Sequence, residues 1–473
     1  MQKLEKWLTP SLIGILAAAY GYWAFTVETI TAASMLAAAA ATILFGMLLA
    51  HCVRGLCSMW DAPEVNLAGA LGRRSIRQSY RHPAVRLFFA LLASRVIVYI
   101  VAYAVLTLQK GYSGGILDTF SLWLKGDAPH YLGIAENWYV TEGDARFHIV
   151  FFPLYPIVVR LAAVLTGSTL AAGLVVSALC TIIAGILLYE LAILDMDRTA
   201  ALRAVALQML LPAAFLFSAP MSDALFLMLS LAVMLLTRKK QYWTACLVGA
   251  LAAFTRVMGL VLLVPVGIEL IGDVLRAHKS TGKWAGFFLM RVFALLLIPA
   301  GFLMYLIINK SVTGDAFAFL HYQSEHWSQR LGWFFNTASY QMNGFLSAAP
   351  AQKEMAYGLW LPNLVHLFGA PIVILLALRK APKRALPAGS EAEAAVQPYA
   401  LRPSYAAYFA AYYCISMGAT WLLSAPRYLT ACFPLAIALS RLTKTRGAWA
   451  VYALLCLLQL LYLCAYVAAW PVY

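Results

Sequence analysis

Thirteen apolar runs, most of them near the length that crosses a bilayer, occupy the chain from end to end. They fall near 11–27, 32–50, 87–108, 168–191, 201–218, 221–237, 241–255, 257–272, 286–308, 358–378, 404–423, 426–440 and 448–470. In lipid a run of about 20 apolar residues satisfies its backbone as a helix. The pattern therefore predicts an all-α polytopic membrane protein with no large soluble domain. Composition agrees, with 63% hydrophobic and 12% charged residues against roughly 45–50% and about 25% in soluble domains. Residues 241–272 are divided here into two spans; one long tilted helix is the alternative. The start, MQKLEKWLTPSLIGILAAAYGYWAF, has a basic tip and an apolar run without a small-x-small cleavage site. It is expected to be a first span or signal anchor.

The formal net charge of +15 raises the question of an anionic partner, and the positions of the 35 Lys and Arg residues answer it. Arg54, Arg73, Arg74, Arg77, Arg81 and Arg86 occupy one connection; Arg238, Lys239 and Lys240 another; Arg276, Lys279 and Lys283 a third. Arg379, Lys380, Lys383 and Arg384, and then Arg441, Lys444 and Arg446, complete the set. These connections alternate with the spans as cytoplasmic loops should, and about 25 of the 35 basic residues then lie inside. The charge is spent on topology, and nucleic acid is not an expected partner. The N-terminus is expected inside and the C-terminus outside, in the cell membrane. This holds only if 149–166, with two prolines and Arg160, is interfacial or re-entrant. Two large outer loops follow, 109–167 and 309–357, and the cytoplasmic stretch 379–403 reads as a flexible linker. The eight cysteines, six of them inside apolar runs, imply neither a disulfide framework nor a zinc site.

Chemistry concentrates in the first outer loop, GDAPHYLGIAENWYVTEGDARFHIVFFPLYP. A carboxylate at the membrane surface can take a proton from a substrate hydroxyl while its reaction partner stays in lipid. Asp118, Asp127, Glu136, Glu142 and Asp144 are candidates, most of them equally readable as solvated loop charges. Asp127 stands apart because 127–139 reads as a helix. Asp127 is its N-cap, Pro129 lies in the first turn, and Tyr131, Ile134, Ala135 and Trp138 form the apolar face.

The block D-A-P-H-Y-L-x-I-A-x-x-W-Y followed by F-F-P-L-Y-P resembles the W-D-x-x-x-[YF]-x-x-I-A-x-x-G-Y and F-F-P-L-Y-P signature of the PIG-V-like mannosyltransferases. That family comprises the second GPI mannosyltransferase and its prokaryotic relatives. LPAAFLFSAPMSDALF (211–226), LAAFTRVMGL (251–260), GDAFAFLHYQSEHWSQR (314–330) and SAPRYLTACFPL (424–435) resemble later family elements in the expected order. The likeness covers roughly 85–440. Gly126 replaces the family's Trp, Trp138 stands near its Gly, Asp223 replaces Glu, and the spans within 11–50 are an addition.

The resemblance implies a GT-C-type fold and an inverting membrane glycosyltransferase. Such an enzyme moves mannose or another hexose from a polyprenyl-phosphate carrier to an acceptor hydroxyl on the extracytoplasmic face. By position, Asp127 would be the catalytic base. Arg256 and Arg427 would hold the departing phosphate, although span-end arginines also serve as membrane anchors. His130 and Tyr131 would touch acceptor or sugar; Asp223 would bind sugar hydroxyls or pair with an arginine; Gln323, His326 and Trp327 would form the far wall. Tyr428 joins the substrate-binding set beside Arg427. The acceptor would be a lipid, glycan or glycolipid. No cofactor is expected beyond the lipid-linked donor; a divalent metal is not required, and no metal-ligand spacing stands out. The expected organisation is an N-terminal hairpin and basic loop (1–83), a catalytic module (84–308), a second outer loop (309–357) and C-terminal spans (358–473). Arg95, deep in a span, needs a partner, either in helix packing or in a carrier-lipid groove. The rival reading is a transporter or lipid flippase, for which internal repeats and deep charges would speak.

Overall fold

The computed structural model describes residues 2–27, 30–61, 83–281, 285–379, 401–443 and 445–472. Arg73, Arg74, Arg77, Arg81, Lys283, Lys444 and most of the linker 379–403 lie outside them. Among the described residues there is no strand, only an isolated antiparallel bridge between Leu331 and Ala419. Among the described residues, eight helical stretches are long and apolar enough to cross a membrane: Lys3–Thr26, Ala32–Asp61, Ala84–Lys110, Thr169–Ala192, Val257–His278, Phe288–Thr313, Lys353–Ala377 and Ala448–Val467.

These eight coincide with eight of the thirteen predicted runs. The other five are apolar but short or interrupted. The first helices are α1 (Gln2–Thr26), α2 (Ala32–Asp61), α3 (Ala84–Lys110), α4 (Ala128–Asn137), α5 (Leu154–Thr166) and α6 (Thr169–Ala192). Run 201–218 becomes α7 (Arg198–Leu210) and a 3-10 turn, Ala214–Ser218. It breaks beside Pro212, which has no backbone N–H to donate. Runs 221–237 and 241–255 become α8 (Asp223–Arg238) and α9 (Tyr242–Thr255), of 16 and 14 residues. Residues 241–272 are thus two elements, as divided from the sequence. Their break is at Arg256, which is extended (φ −158°, ψ 148°) before the 3-10 turn Val257–Leu262. Gly259 makes that turn possible, because a Cβ there would lie 2.2 Å from the backbone N of Ala253.

The chain continues through α10 (Leu263–Thr281), α11 (Ala285–Leu295), α12 (Leu297–Thr313), α13 (Ala318–Trp327), α14 (Phe334–Ala348) and α15 (Leu361–Ala377). Run 404–423 keeps helix only over α16 (Pro403–Ser416), and 426–440 divides into α17 (Ala425–Thr430) and α18 (Pro434–Leu442) before α19 (Ala448–Val467). Segment 149–166 is also bent: the 3-10 turn Asp144–Val150 meets α5 at 110°. Hydropathy sees the apolar composition of such segments and not their corners.

The core is continuous through the bundle. At the end of α8 it contains an ionic set closed on itself. Arg238 donates Nη1 and Nη2 to Asp195 (2.6 and 2.8 Å), and Nη1 also to Tyr405 Oη (2.7 Å). Arg402 grips Glu269 through Nε (2.5 Å) and Nη2 (2.8 Å), and Ser404 Oγ donates to the same carboxylate (2.6 Å). Arg402 Nη1 lies 4.0 Å from Asp195, which joins the two pairs.

Candidate active site

At the opposite end of α8, four charged side chains meet from four separate interruptions of the helical chain. Asp127 precedes α4. Its neighbour Gly126 has φ +58°, a left-handed conformation that would strain a tryptophan. Asp223 opens α8 after the break at 211–222; Arg256 is the extended joint between α9 and the following turn; Arg427 lies in α17. Two residues of α3 pin the 211–222 break. Arg95 Nη1 donates to Ala214 O (3.0 Å) and Ser218 Oγ (3.4 Å), and Tyr99 Oη donates to Ser218 O (2.8 Å). Arg95 is buried, and backbone and hydroxyl oxygens answer its need for a partner.

Arg427 is the hub. Its Nε donates to Asp223 Oδ2 (2.8 Å), and its Nη2 lies 2.8 Å from that oxygen and 2.7 Å from Asp127 Oδ2. Neither Nη2 approach is aligned as a hydrogen bond. Arg256 Nη1 donates to Asp223 Oδ1, so both oxygens of Asp223 are taken by guanidiniums. Arg256 also faces the Tyr428 ring, 5.5 Å from its centroid, a cation–π distance. Asp223 and Arg427 are 2% and 3% exposed at the side chain, whereas Asp127 is 33% exposed. Asp127 is the member of the set that reaches outward.

Asp127 stands at the N-cap position but makes no cap hydrogen bond with its side chain. The carboxylate turns to Arg427 instead, which decides against the simple cap reading. As predicted, a proline sits in the first turn of α4, and Tyr131, Ile134 and Ala135 are buried. The helix ends two residues early, however, and Trp138 is a half-buried C-cap with φ 65° rather than a member of the apolar face. Tyr131 Oη is 2.7 Å from Ser222 Oγ, tying α4 to the residue before Asp223.

Beside Asp127 the loop builds an aromatic wall. The His130 ring stacks on Phe151 (4.8 Å between centroids, 15°) and meets His148 (4.9 Å) and Trp327 (6.0 Å) edge to face. Burial lowers the pKa of His130, against an upward pull from Asp127 and with a further lowering by His326. Burial, then the neighbouring His130, brings His148 down to about 4. Both imidazoles are therefore neutral near pH 7. Gln323, on the same helix as Trp327, donates Nε2 to Gln329 (2.6 Å), and His326 stacks on Phe147 (4.4 Å). Gln329, Arg330 and Gly332 bond Trp421, Thr420 and Gly418 in turn, fastening the stretch after α13 to the segment leading into Arg427.

The structure thus brings Asp127, Asp223, Arg256, Arg427 and Tyr428 into one cluster, with Tyr131 behind it and His130 and Trp327 beside it. Gln323 stands apart, engaged with Gln329. Sequence reasoning missed Ser222, although it adjoins Asp223 in the quoted SAPMSD block. His148 and Phe151, from the stretch leading into and through FFPLYP, line the wall beside His130. Among the described residues, no three His, Cys, Asp or Glu side chains are grouped to hold a metal.

Residues 88–311 match the family model described as mannosyltransferase (PIG-V). No curated protein sequence matches the chain significantly. Among solved structures, ArnT from Cupriavidus metallidurans bound to undecaprenyl phosphate is similar at 14% identity and TM-score 0.45, over 76% of this chain and 62% of that one. The archaeal oligosaccharyltransferase AglB from Archaeoglobus fulgidus, in complex with an inhibitory peptide and a dolichol-phosphate, is similar at 12% identity and TM-score 0.35. That match covers 81% of this chain and 56% of AglB. The chain therefore spans less than two thirds of the length of these structures.

Proposed function

Residues 88–311 match the mannosyltransferase (PIG-V) family model, and from that premise we propose that the chain is a membrane glycosyltransferase of GT-C type. It transfers a hexose from a polyprenyl-phosphate carrier to an acceptor hydroxyl on the extracytoplasmic face. The observation that carries this reading is the meeting of Asp127, one third exposed, with the buried Arg427–Asp223–Arg256 set. A proton acceptor and guanidiniums able to take a phosphate belong to one cluster, and displacement of a sugar from a phosphate calls for both groups.

In the transfer, the acceptor oxygen attacks the anomeric carbon and its proton passes to Asp127. The bond from that carbon to the phosphate oxygen breaks, and its electron pair leaves with the phosphate. Arg427, with Arg256 behind it, offsets the charge that develops there; a guanidinium presents two parallel donors to such a group. Attack from the face opposite the leaving phosphate inverts the anomeric centre. Asp223 holds both arginines in place, which makes it a positioning residue. His130 and Trp327 offer ring surface to a sugar face.

The sidedness read from the basic residues supports an outer site and a lipid-linked donor, since a cytosolic nucleotide sugar would be on the other side of the membrane. The test is to incubate the purified chain with polyprenyl-phosphate mannose and other polyprenyl-phosphate hexoses and to measure release of polyprenyl phosphate. Release with transfer or hydrolysis of the sugar is expected. Movement of the lipid between leaflets without cleavage would overturn the reading in favour of a flippase.

A further inference from the structure

The ionic set is one anion short without Asp127. Arg256 and Arg427 together carry two positive charges, and Asp223, with both oxygens engaged, supplies one negative charge to neutralise them. Arg427 is 3% exposed and cannot draw its second counter-ion from water; a buried guanidinium left uncompensated is costly. Asp127 fills that place. It does so loosely: one oxygen, 2.7 Å from Nη2, outside hydrogen-bond alignment, from a carboxylate one third exposed. The group required as a free base in the transfer is thus tied to the group required for the phosphate.

We infer that the donor's phosphate displaces Asp127 from Arg427, so that the base is released only once the lipid-linked donor is bound. This rests on the glycosyl-transfer reading above. A phosphate offers two oxygens to the guanidinium fork where Asp127 offers one, and a ligand shifts such an equilibrium by its advantage over the group it displaces. The charge of the buried set is unchanged by the exchange: one anion leaves Arg427 and another takes its place. Asp127 has somewhere to go because it reaches outward, free of a capping role, behind the left-handed Gly126. Donor binding therefore precedes acceptor activation, and an acceptor that arrives first meets a neutralised carboxylate.

The test measures binding of undecaprenyl phosphate to the full-length protein in detergent, with undecaprenol as the uncharged control. Asp127→Asn removes the competing anion, so it should bind undecaprenyl phosphate about tenfold more tightly than the native chain, within the range of coupling between linked sites, with undecaprenol unchanged. Equal or weaker binding of undecaprenyl phosphate by both Asp127→Asn and Asp127→Ala would overturn the inference. A second measurement needs no variant. Carbodiimide labelling of Asp127 in the native chain, read by mass spectrometry, should rise when undecaprenyl phosphate is added; an unchanged or falling label is the contrary result. If the native chain binds undecaprenyl phosphate no better than undecaprenol, the functional reading itself fails, and that outcome is distinct from the others.

Discussion

Helix α8 begins at Asp223 and ends at Arg238, about 22 Å further on at roughly 1.5 Å per residue. Each end is tied into a set of two carboxylates and two guanidiniums. At the Arg238 end, Asp195 and Glu269 are each gripped through both oxygens, Tyr405 and Ser404 add hydroxyl contacts, and the ionised side chains are 2–11% exposed. At the Asp223 end, one carboxylate is engaged through both oxygens, while Asp127 is held through one and reaches the surface. The same inventory makes a closed lock in one place and an open, exchangeable set in the other. What separates them is geometry and access: charge count alone does not mark a site.

The largest expected contrast lies between Asp127→Asn and Arg238→Met. The first should lower transfer by about 10²–10⁴-fold, the usual contribution of a positioned base, with a smaller melting loss than the second, because Asp127 is one third exposed and meets Arg427 through one oxygen. The second leaves Asp195 buried without its partner, which costs about 3–5 kcal/mol. Folded yield should fall, and the surviving molecules should keep their activity. A melting loss as large for Asp127→Asn as for Arg238→Met would erase the distinction between the two sets. Arg427→Lys keeps the charge but loses the fork. It should raise the KM for the lipid donor about tenfold or more, measured against a smaller change with Arg402→Lys.

Acid provides a third test. The folded-state pKa of His148, about 4, lies below the roughly 6.5 of an unfolded histidine. The fold therefore prefers the neutral ring. That contribution is complete above about pH 6.5 and is lost as pH falls toward 4. Melting curves should show a loss over this window that shrinks in His148→Gln. The smallest effect should come from Tyr131→Phe. It removes the 2.7 Å bond to Ser222, worth about 1 kcal/mol, and a fewfold drop in transfer rate is expected from a less firmly placed α4.

Much of the open set could be found in the sequence because its members sit in blocks that resemble those of the PIG-V-like mannosyltransferases in order: GDAPHY, SAPMSD, FTRVMG and SAPRY. Asp127, Asp223, Arg256 and Arg427 each come from one of these. The closed set was not legible in the same way. Asp195 stands between α6 and α7, Glu269 inside α10 and Arg402 just before α16, and only packing reveals that they meet. The count of thirteen spans is not confirmed, for a related reason: Pro212, Arg256 and the stretch after Ser416 turn the chain inside apolar runs, and the functional side chains stand at or near such corners. A hydropathy profile averages over the positions that matter most here.

Arg95 also bears on how the molecule is made. Its acceptors, Ala214 O and Ser218 Oγ, lie 119 and 123 residues later in the chain. An arginine in the middle of a span costs about 2.5–3.5 kcal/mol on insertion scales, so α3 enters the bilayer as a poor lipid-facing helix. It becomes a settled one only when the 214–218 turn has been synthesised and has docked. Biogenesis thus acquires a checkpoint: ribosome-bound chains stopped before residue 214 should hold α3 less firmly in the membrane than chains released after 218.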